Sequence, residues 1–282
     1  MLARVEMPPS FRQWNRKRGA PYGFRWVNHI PRRYWTWPFV AKMVGCFAFQ
    51  ENNSTRRCEF PWVFEALDIF PGASVLEIGG GLSGLQFVLS RCGCEVTNVD
   101  PGMAANGVGW PVDQESVNLL NRRFRTRVRL KNCFIQDAGL EDESFDRAFS
   151  VSAIEHIPPD DILTILEHVR RGLKPGGLFV LTVDLFLDLK PFTTLETNKY
   201  GRNVSIRWLV ENSGLELAAG RPEELYGFDS FSPERILEGL PQFFVGSGWP
   251  TLAQKLVLRK REKGKPEKEP EHLELAATNR TS

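Results

Sequence analysis

Along this chain the spacing of apolar residues alternates between the two-residue period of a strand and the 3.6-residue period of a helix, which predicts most of its elements. Ala73–Ile78 is a short apolar run that ends in glycines, and Ser83–Arg91 follows with Leu85, Val88 and Leu89 on one helical face. Glu95–Val99 predicts a second strand ending at Asp100, and Asp113–Phe124 a helix opened by an N-cap residue. Val128–Ile135 and Phe145–Val151 predict a third and fourth strand, with Asp160–Arg171 an amphipathic helix after them. Lys174-Pro-Gly-Gly177 predicts a turn into Leu178–Val183, whose nearly continuous apolar run suits a strand buried on both faces. A helix at Val204–Asn212, a strand at Leu215–Ala219 and a last strand at Thr251–Leu258 complete the series. Such alternation predicts an α/β fold, a mostly parallel sheet with helices on both faces.

Two regions stand outside that scheme. Residues 1–60 hold short aromatic segments and prolines without clean periodicity, and predict an N-terminal basic and aromatic extension or cap before a domain at 61–259. Lys260–Glu271 is dense in charge with two prolines, so 260–282 is expected to be a disordered charged tail. The whole chain of 282 residues is nearly neutral, with 36 basic and 34 acidic side chains, yet residues 1–40 carry eight basic groups and one acid. The body is therefore mildly acidic and the front strongly basic. No stretch nears the roughly 18 apolar residues of a membrane-spanning helix, and the start has no signal-peptide pattern. A cytoplasmic location is expected. The five cysteines, Cys46, Cys58, Cys92, Cys94 and Cys133, are scattered, complete no metal-ligand spacing and read as reduced packing residues.

The densest chemical signal is Val75-Leu-Glu-Ile-Gly-Gly-Gly-Leu-Ser-Gly84. A glycine turn between a strand and a helix lets a ligand approach the backbone N–H groups at the helix start. Gly79, Gly81 and Gly84, with Asp100 about twenty residues on, satisfy the dinucleotide fingerprint. Glu77 points elsewhere: its carboxylate beside the crevice would repel a pyrophosphate and favour an ammonium or sulfonium. Asp100, an acceptor of hydrogen bonds, suits paired ribose hydroxyls.

The segments 75–84, Val96–Asp100, Gln136–Ala138, Ser144–Ile157 and Leu173–Gly177 occur in an order and spacing that resembles class I S-adenosylmethionine-dependent methyltransferases, and among them the small-molecule group with Glu-His after the fourth strand. The resemblance covers roughly residues 60–260. It implies a Rossmann-like, seven-stranded sheet and S-adenosyl-L-methionine as cofactor. Glu77, Gly79, Gly80 and Gly81 would then surround the methionine part and Asp100 would hold the ribose. Asp137 and Ala138 would border the adenine, and Ser152 would lie near the sulfonium. Ser83 stands where the family has its third glycine, and the glycine-rich segment after Asp100 leaves Met103 unassigned.

Methyl transfer requires alignment of the reactants and removal of a proton. His156, directly after the fourth strand, is the candidate base and Asp184 a second candidate. Asn-Pro-Pro-Tyr-type and cysteine signatures are missing after the fourth strand, and no metal constellation is seen, which leaves an oxygen or nitrogen of a small-molecule, glycan or lipid-precursor acceptor. Phe186, Phe192 and Tyr200, in the insert 185–204, are expected to line its pocket. The basic front end has three readings: a cap over the acceptor, a docking surface for an anionic partner, or aromatics packed on helices with solvated arginines. Three consecutive charges, Arg16-Lys17-Arg18, are a weak signal for nucleic acid. A catalytically inactive cofactor-binding protein and an NAD(P)-dependent oxidoreductase stay open as alternatives.

Overall fold

The computed structural model describes residues 1–20, 30–37, 39 and 45–262. Among these, seven strands form one sheet: β1 (Ser74–Ile78), β2 (Glu95–Val99), β3 (Arg129–Lys131), β4 (Phe145–Val151), β5 (Leu173–Phe186), β8 (Glu216–Ala219) and β9 (Thr251–Arg259). A separate two-stranded hairpin pairs β6 (Thr197–Asn198) with β7 (Gly201–Arg202). The sheet order is β3-β2-β1-β4-β5-β9-β8. The first five of these strands run parallel, and β9 is antiparallel to both its neighbours. The order reverses between β1 and β4, so the crevice beyond their carboxyl ends is the natural ligand site of such a sheet.

Alternation along the strands divides the core in two. Val75, Phe149 and Val180 face helices α2 (Arg56–Ala66), α3 (Gly84–Arg91) and α4 (Gln114–Phe124), while Leu76, Ala148, Phe179 and Leu181 face α5 (Pro159–Gly172) and α6 (Ile206–Ser213). The expected third strand is cut to three residues, because Ile135 turns into a short 3-10 segment beside the crevice. The Lys174–Gly177 turn appears as a bulge within β5, whose pairing jumps from Phe145–Leu173 to Arg147–Leu178.

The front end is built onto this body. Helix α1 (Pro9–Arg18) sends Trp14 against Phe47 and Phe64, and Trp35 packs on Phe49. Trp37 is exposed, and Trp26 lies outside the described residues. Leu2 bridges Gln254 of β9, so the start of the chain is paired with the sheet. Helix α2 runs through the expected boundary at residue 60 and lies against β4 and β5. The expected tail beyond 262 lies outside the described residues. No described helix is long and apolar enough to cross a membrane.

Candidate active site

The glycine turn after β1 is braced from two sides. Asn98 on β2 receives the Gly80 N–H at 3.2 Å and donates to the Gly81 carbonyl at 3.1 Å, which Gln86 of α3 also reaches at 3.1 Å. Asp100 accepts from the N–H groups of Gly81 and Gly102, both at 2.7 Å. Gly79 and Gly81 have positive φ, and a Cβ on Gly79 would stand 2.8 Å from that of Ala153. A Cβ on Gly80 would overlap the Glu77 carboxylate, so the turn closes over this acid. Glu77 is 1% exposed and its Oε2 has no partner among the described residues. Burial, then the charge of Asp100, push its carboxyl well above the usual range.

Two cavities flank the turn. A polar one of about 580 Å³ is lined by Arg56, Glu77, Ser83, Ser152 and Trp249 among others. The second, about 540 Å³, is apolar and lies between Ile78, Val99 and Pro101 on one side and Ile135, Gln136 and Ile157 on the other. Gly79 and His156 line both, so they mark the junction. A ligand with a flat apolar end and a charged end, joined near Gly79, fits the pair.

Behind the polar cavity lies a buried charge network. Glu59 of α2 pairs with Arg56 and accepts from the hydroxyls of Ser152 at 2.7 Å and Thr182 at 2.6 Å. Burial works against ionised Glu59, but Arg56 and the two hydroxyls outweigh it and lower its pKa. Asp184 lies at 3.0 Å from the Ser152 hydroxyl and 3.3 Å from Trp249 Nε1. Ser152 carries this hydroxyl at φ +43°, a conformation that costs a serine about 1 kcal/mol and recurs at functional sites.

His156 is tied down by its neighbours. Its Nδ1 bonds the Tyr200 carbonyl in the β6–β7 hairpin, and its own carbonyl accepts from Val108 at 3.3 Å. A carbonyl partner requires hydrogen on Nδ1, which leaves the lone pair on Nε2. Burial lowers its pKa, so the ring is neutral at pH 7. The Glu155 carboxyl, fully buried and with no hydrogen bond to another described residue, stands 3.9 Å from Nε2. Burial and Asp184 push it well above the usual range.

Of the residues singled out in the sequence, Glu77, Gly79, Gly80, Ser152 and His156 line the polar cavity together. Gly81 lies under the Gln50 side chain, and Asp100 sits between the cavity residues Val99 and Pro101. Asp184 is fully buried behind the wall formed by Ser152 and Trp249. Asp137 is exposed and Ala138 is core, while their neighbours Ile135 and Gln136 line the apolar cavity. Met103 is 71% exposed. Phe186 and Phe192 line neither cavity; Tyr200 stacks on Trp249 with centroids 4.3 Å apart. Sequence reasoning missed Arg56, Glu59, Gln50, Trp110 and Trp249.

Residues 76–181 match the family described as a methyltransferase domain. Over those residues the chain is similar to methyltransferase domains, and its seven-stranded, mostly parallel sheet has the Rossmann-like fold. It is similar to the cyclopropane-fatty-acyl-phospholipid synthase of Escherichia coli K12, 29% identical over 221 residues, covering 77% of this chain and 53% of that protein. Ubiquinone biosynthesis O-methyltransferase of Paramagnetospirillum magneticum is 31% identical over 119 residues, covering 39% of this chain and 40% of its own. The chain thus spans about half the length of the first of these relatives and less of the second. Among solved structures, the [4+2]-cyclase SpnF superposes with a TM-score of 0.51 at 14% identity, over 72% of this chain and 80% of that one. That likeness shows the fold alone. S-adenosyl-L-methionine is the cofactor that the resemblance implies, and the residues present fit it. Glu77, a buried acid with its Oε2 unpartnered among the described residues, lines the polar cavity, and the apolar cavity borders the residues next to Asp100.

Proposed function

We propose that this protein transfers a methyl group from S-adenosylmethionine to an oxygen or nitrogen of a small acceptor. The observation that carries the reading is the pair of cavities joined at Gly79 and His156, with Glu77, whose Oε2 has no partner among the described residues, lining the polar one. The bound cofactor supplies an activated methyl group on a sulfonium. The chain's own residues do the rest. Glu77 and the glycine turn bind the charged end, while Asp100 retains lone pairs beyond its two backbone bonds for ribose hydroxyls. Ile78, Val99 and Ile135 enclose the flat apolar end. His156 Nε2, neutral and without a hydrogen bond among the described residues, takes the acceptor's proton. Trp110 and Trp249 wall the acceptor side against water. An acceptor with hydroxyl or amino groups suits the amides of Gln50, Asn52 and Asn53, which also line this cavity.

Titration calorimetry with S-adenosylhomocysteine, NAD and NADP tests the cofactor: binding of the first is expected, and binding of a nicotinamide dinucleotide alone would overturn the reading. Labelled S-adenosylmethionine incubated with cell extract, followed by mass identification of the product, tests turnover and identifies the acceptor. His156→Gln should retain cofactor affinity and lose about 100-fold or more in turnover. Unchanged turnover would remove His156 as the base.

A further inference from the structure

His156 is aimed by a hairpin that lines neither cavity. The Tyr200 carbonyl, at the tip of β6–β7, accepts from Nδ1 of the ring. A carbonyl can only accept, so it selects the tautomer with its hydrogen on Nδ1. One side chain sets the direction of that carbonyl. Asn198 Oδ1 accepts from the N–H groups of Tyr200 at 2.8 Å and Gly201 at 3.2 Å, which closes the turn. Its Nδ2 donates to both carboxylate oxygens of Asp188 at 3.2 Å. Asp188 therefore decides which way the amide faces. With its ends exchanged, the amide would set an oxygen against a carboxylate and a donor against two N–H groups.

Two further contacts press the turn onto the histidine. A Cβ on Gly201 would lie 2.1 Å from the Glu155 carbonyl oxygen and 3.3 Å from His156 Cα, so the hairpin packs directly on the segment that carries the ring. The Tyr200 ring stacks on Trp249 with centroids 4.3 Å apart, and Trp249 Nε1 is held in turn by Asp184 at 3.3 Å. His156 and Trp249 line the polar cavity, whereas Asp188, Asn198 and Tyr200 do not. The hairpin thus meets the site only through other residues. We propose that Asn198 is a positioning residue: held by Asp188, it aims the Tyr200 carbonyl at Nδ1 and so keeps the lone pair of His156 on Nε2. The assignment of His156 as the base underlies this inference. A neutral imidazole freed from the carbonyl can carry its hydrogen on either nitrogen, and the form with hydrogen on Nε2 cannot take a proton there. Sequence spacing gave no sign of this role, because Asn198 stands 42 positions beyond the ring it orients.

Nitrogen-15 NMR of the full chain with labelled histidine, at an alkaline pH where the rings are neutral, reads the tautomer. The His156 ring is identified by its loss in His156→Gln. Wild type should carry the hydrogen on Nδ1; hydrogen on Nε2 would overturn the proposal without any change at Asn198. Asn198→Ala should populate the form with hydrogen on Nε2. It should also lower turnover in the labelled-donor assay above by about tenfold or more, with S-adenosylhomocysteine affinity unchanged in calorimetry. Asn198→Asp sets a carboxylate against Asp188 and should act like Asn198→Ala. Adding Asp188→Asn to it exchanges donor and acceptor across the pair, keeps an acceptor for the two N–H groups, and should restore both readouts. If Asn198→Ala keeps the hydrogen on Nδ1, or if the double variant folds as wild type yet keeps it on Nε2, Asn198 only braces the hairpin and the proposal falls. Full turnover in His156→Gln would instead remove the base assignment, and the tautomer in Asn198→Ala would still decide whether the hairpin orients the ring.

Discussion

Asp184→Asn removes one buried titrating group while keeping its shape, and its effect on stability can be worked from the structure. Asp184 is fully buried, and burial, reinforced by the charge of Glu59, pushes its pKa from 3.8 up to about 7. Counting hydrogens leads to the same state. The Ser152 hydroxyl has one hydrogen, and carboxyl oxygens of Glu59 and Asp184 lie 2.7 and 3.0 Å from it. It cannot donate to both. If Asp184 is protonated it donates to Ser152, Ser152 donates to Glu59, and every contact is satisfied.

The sign follows from where each state releases the proton. Unfolded, Asp184 ionises near pH 4; folded, it ionises near pH 7. Between these values the folded protein holds the extra proton, so stability falls as pH rises through the window. The contribution is complete below pH 4 and gone above 7. One such group changes stability by about 1.4 kcal/mol per pH unit, or about 4 kcal/mol across the window. Asn mimics the protonated acid and cannot titrate. Urea unfolding of both proteins at intervals from pH 5 to 7 should therefore show wild type losing about 2–3 kcal/mol relative to Asp184→Asn. Parallel profiles would refute the buried proton, and with it the proton arrangement drawn for Ser152.

Asp100→Asn sets an amide against the N–H of Gly81 or Gly102 and should weaken S-adenosylhomocysteine by about 1.5–3 kcal/mol in calorimetry, since charged hydrogen bonds are lost. Glu77, whose pKa is raised by burial and by Asp100, should lose a proton when an ammonium arrives. The heat of S-adenosylhomocysteine binding should then vary with the ionisation enthalpy of the buffer in the sense of proton release, and Glu77→Gln should abolish the dependence. Burial lowers the pKa of His156, so the acid limb of kcat/KM should fall below pH 6.5 and a plateau should persist above it; a limb above 6.5 would contradict the neutral ring.

The parts of the site that could be read in the sequence lie within a few residues of a strand end. Glu77, Gly79, Ser152 and His156 follow directly from the patterns of β1 and β4, because a parallel sheet places those ends together. Asp137 and Ala138 were close, yet a tight 3-10 turn presents Ile135 and Gln136 to the cavity. Arg56, Glu59 and Trp249 were out of reach for a different reason. Glu59 meets Ser152 across 93 positions and Thr182 across 123, contacts that only the closed fold creates. A trace was nonetheless present. Arg56 and Glu59 stand three apart just before the apolar run Phe60–Phe64 of the same helix, where a buried charge must be paired. On β5, Thr182 and Asp184 interrupt the face that Val180 shares with α2, marking where that pair is received.

Charge on the front segment bears on function less than its position does. Arg12, Arg16 and Lys17 are exposed, Arg4 and Arg32 pair with Glu224 and Asp113, and Arg33 lies over the Tyr34 ring. None of these lines either described cavity, so the expectation of an anionic acceptor held by that segment finds no support in the site. Solvated charges are screened and contribute little at depth. Arg56, outside the basic run, is buried and surrounded by Glu59, Asp184 and Glu155. Its interactions are the strong ones because water does not compete there. The aromatics of the front segment matter through the same logic. Phe47 and Phe60 pack together and Trp14 packs on Phe47, which seats α2 against the sheet. Seating α2 is what carries Arg56 and Glu59 to the ends of β4 and β5.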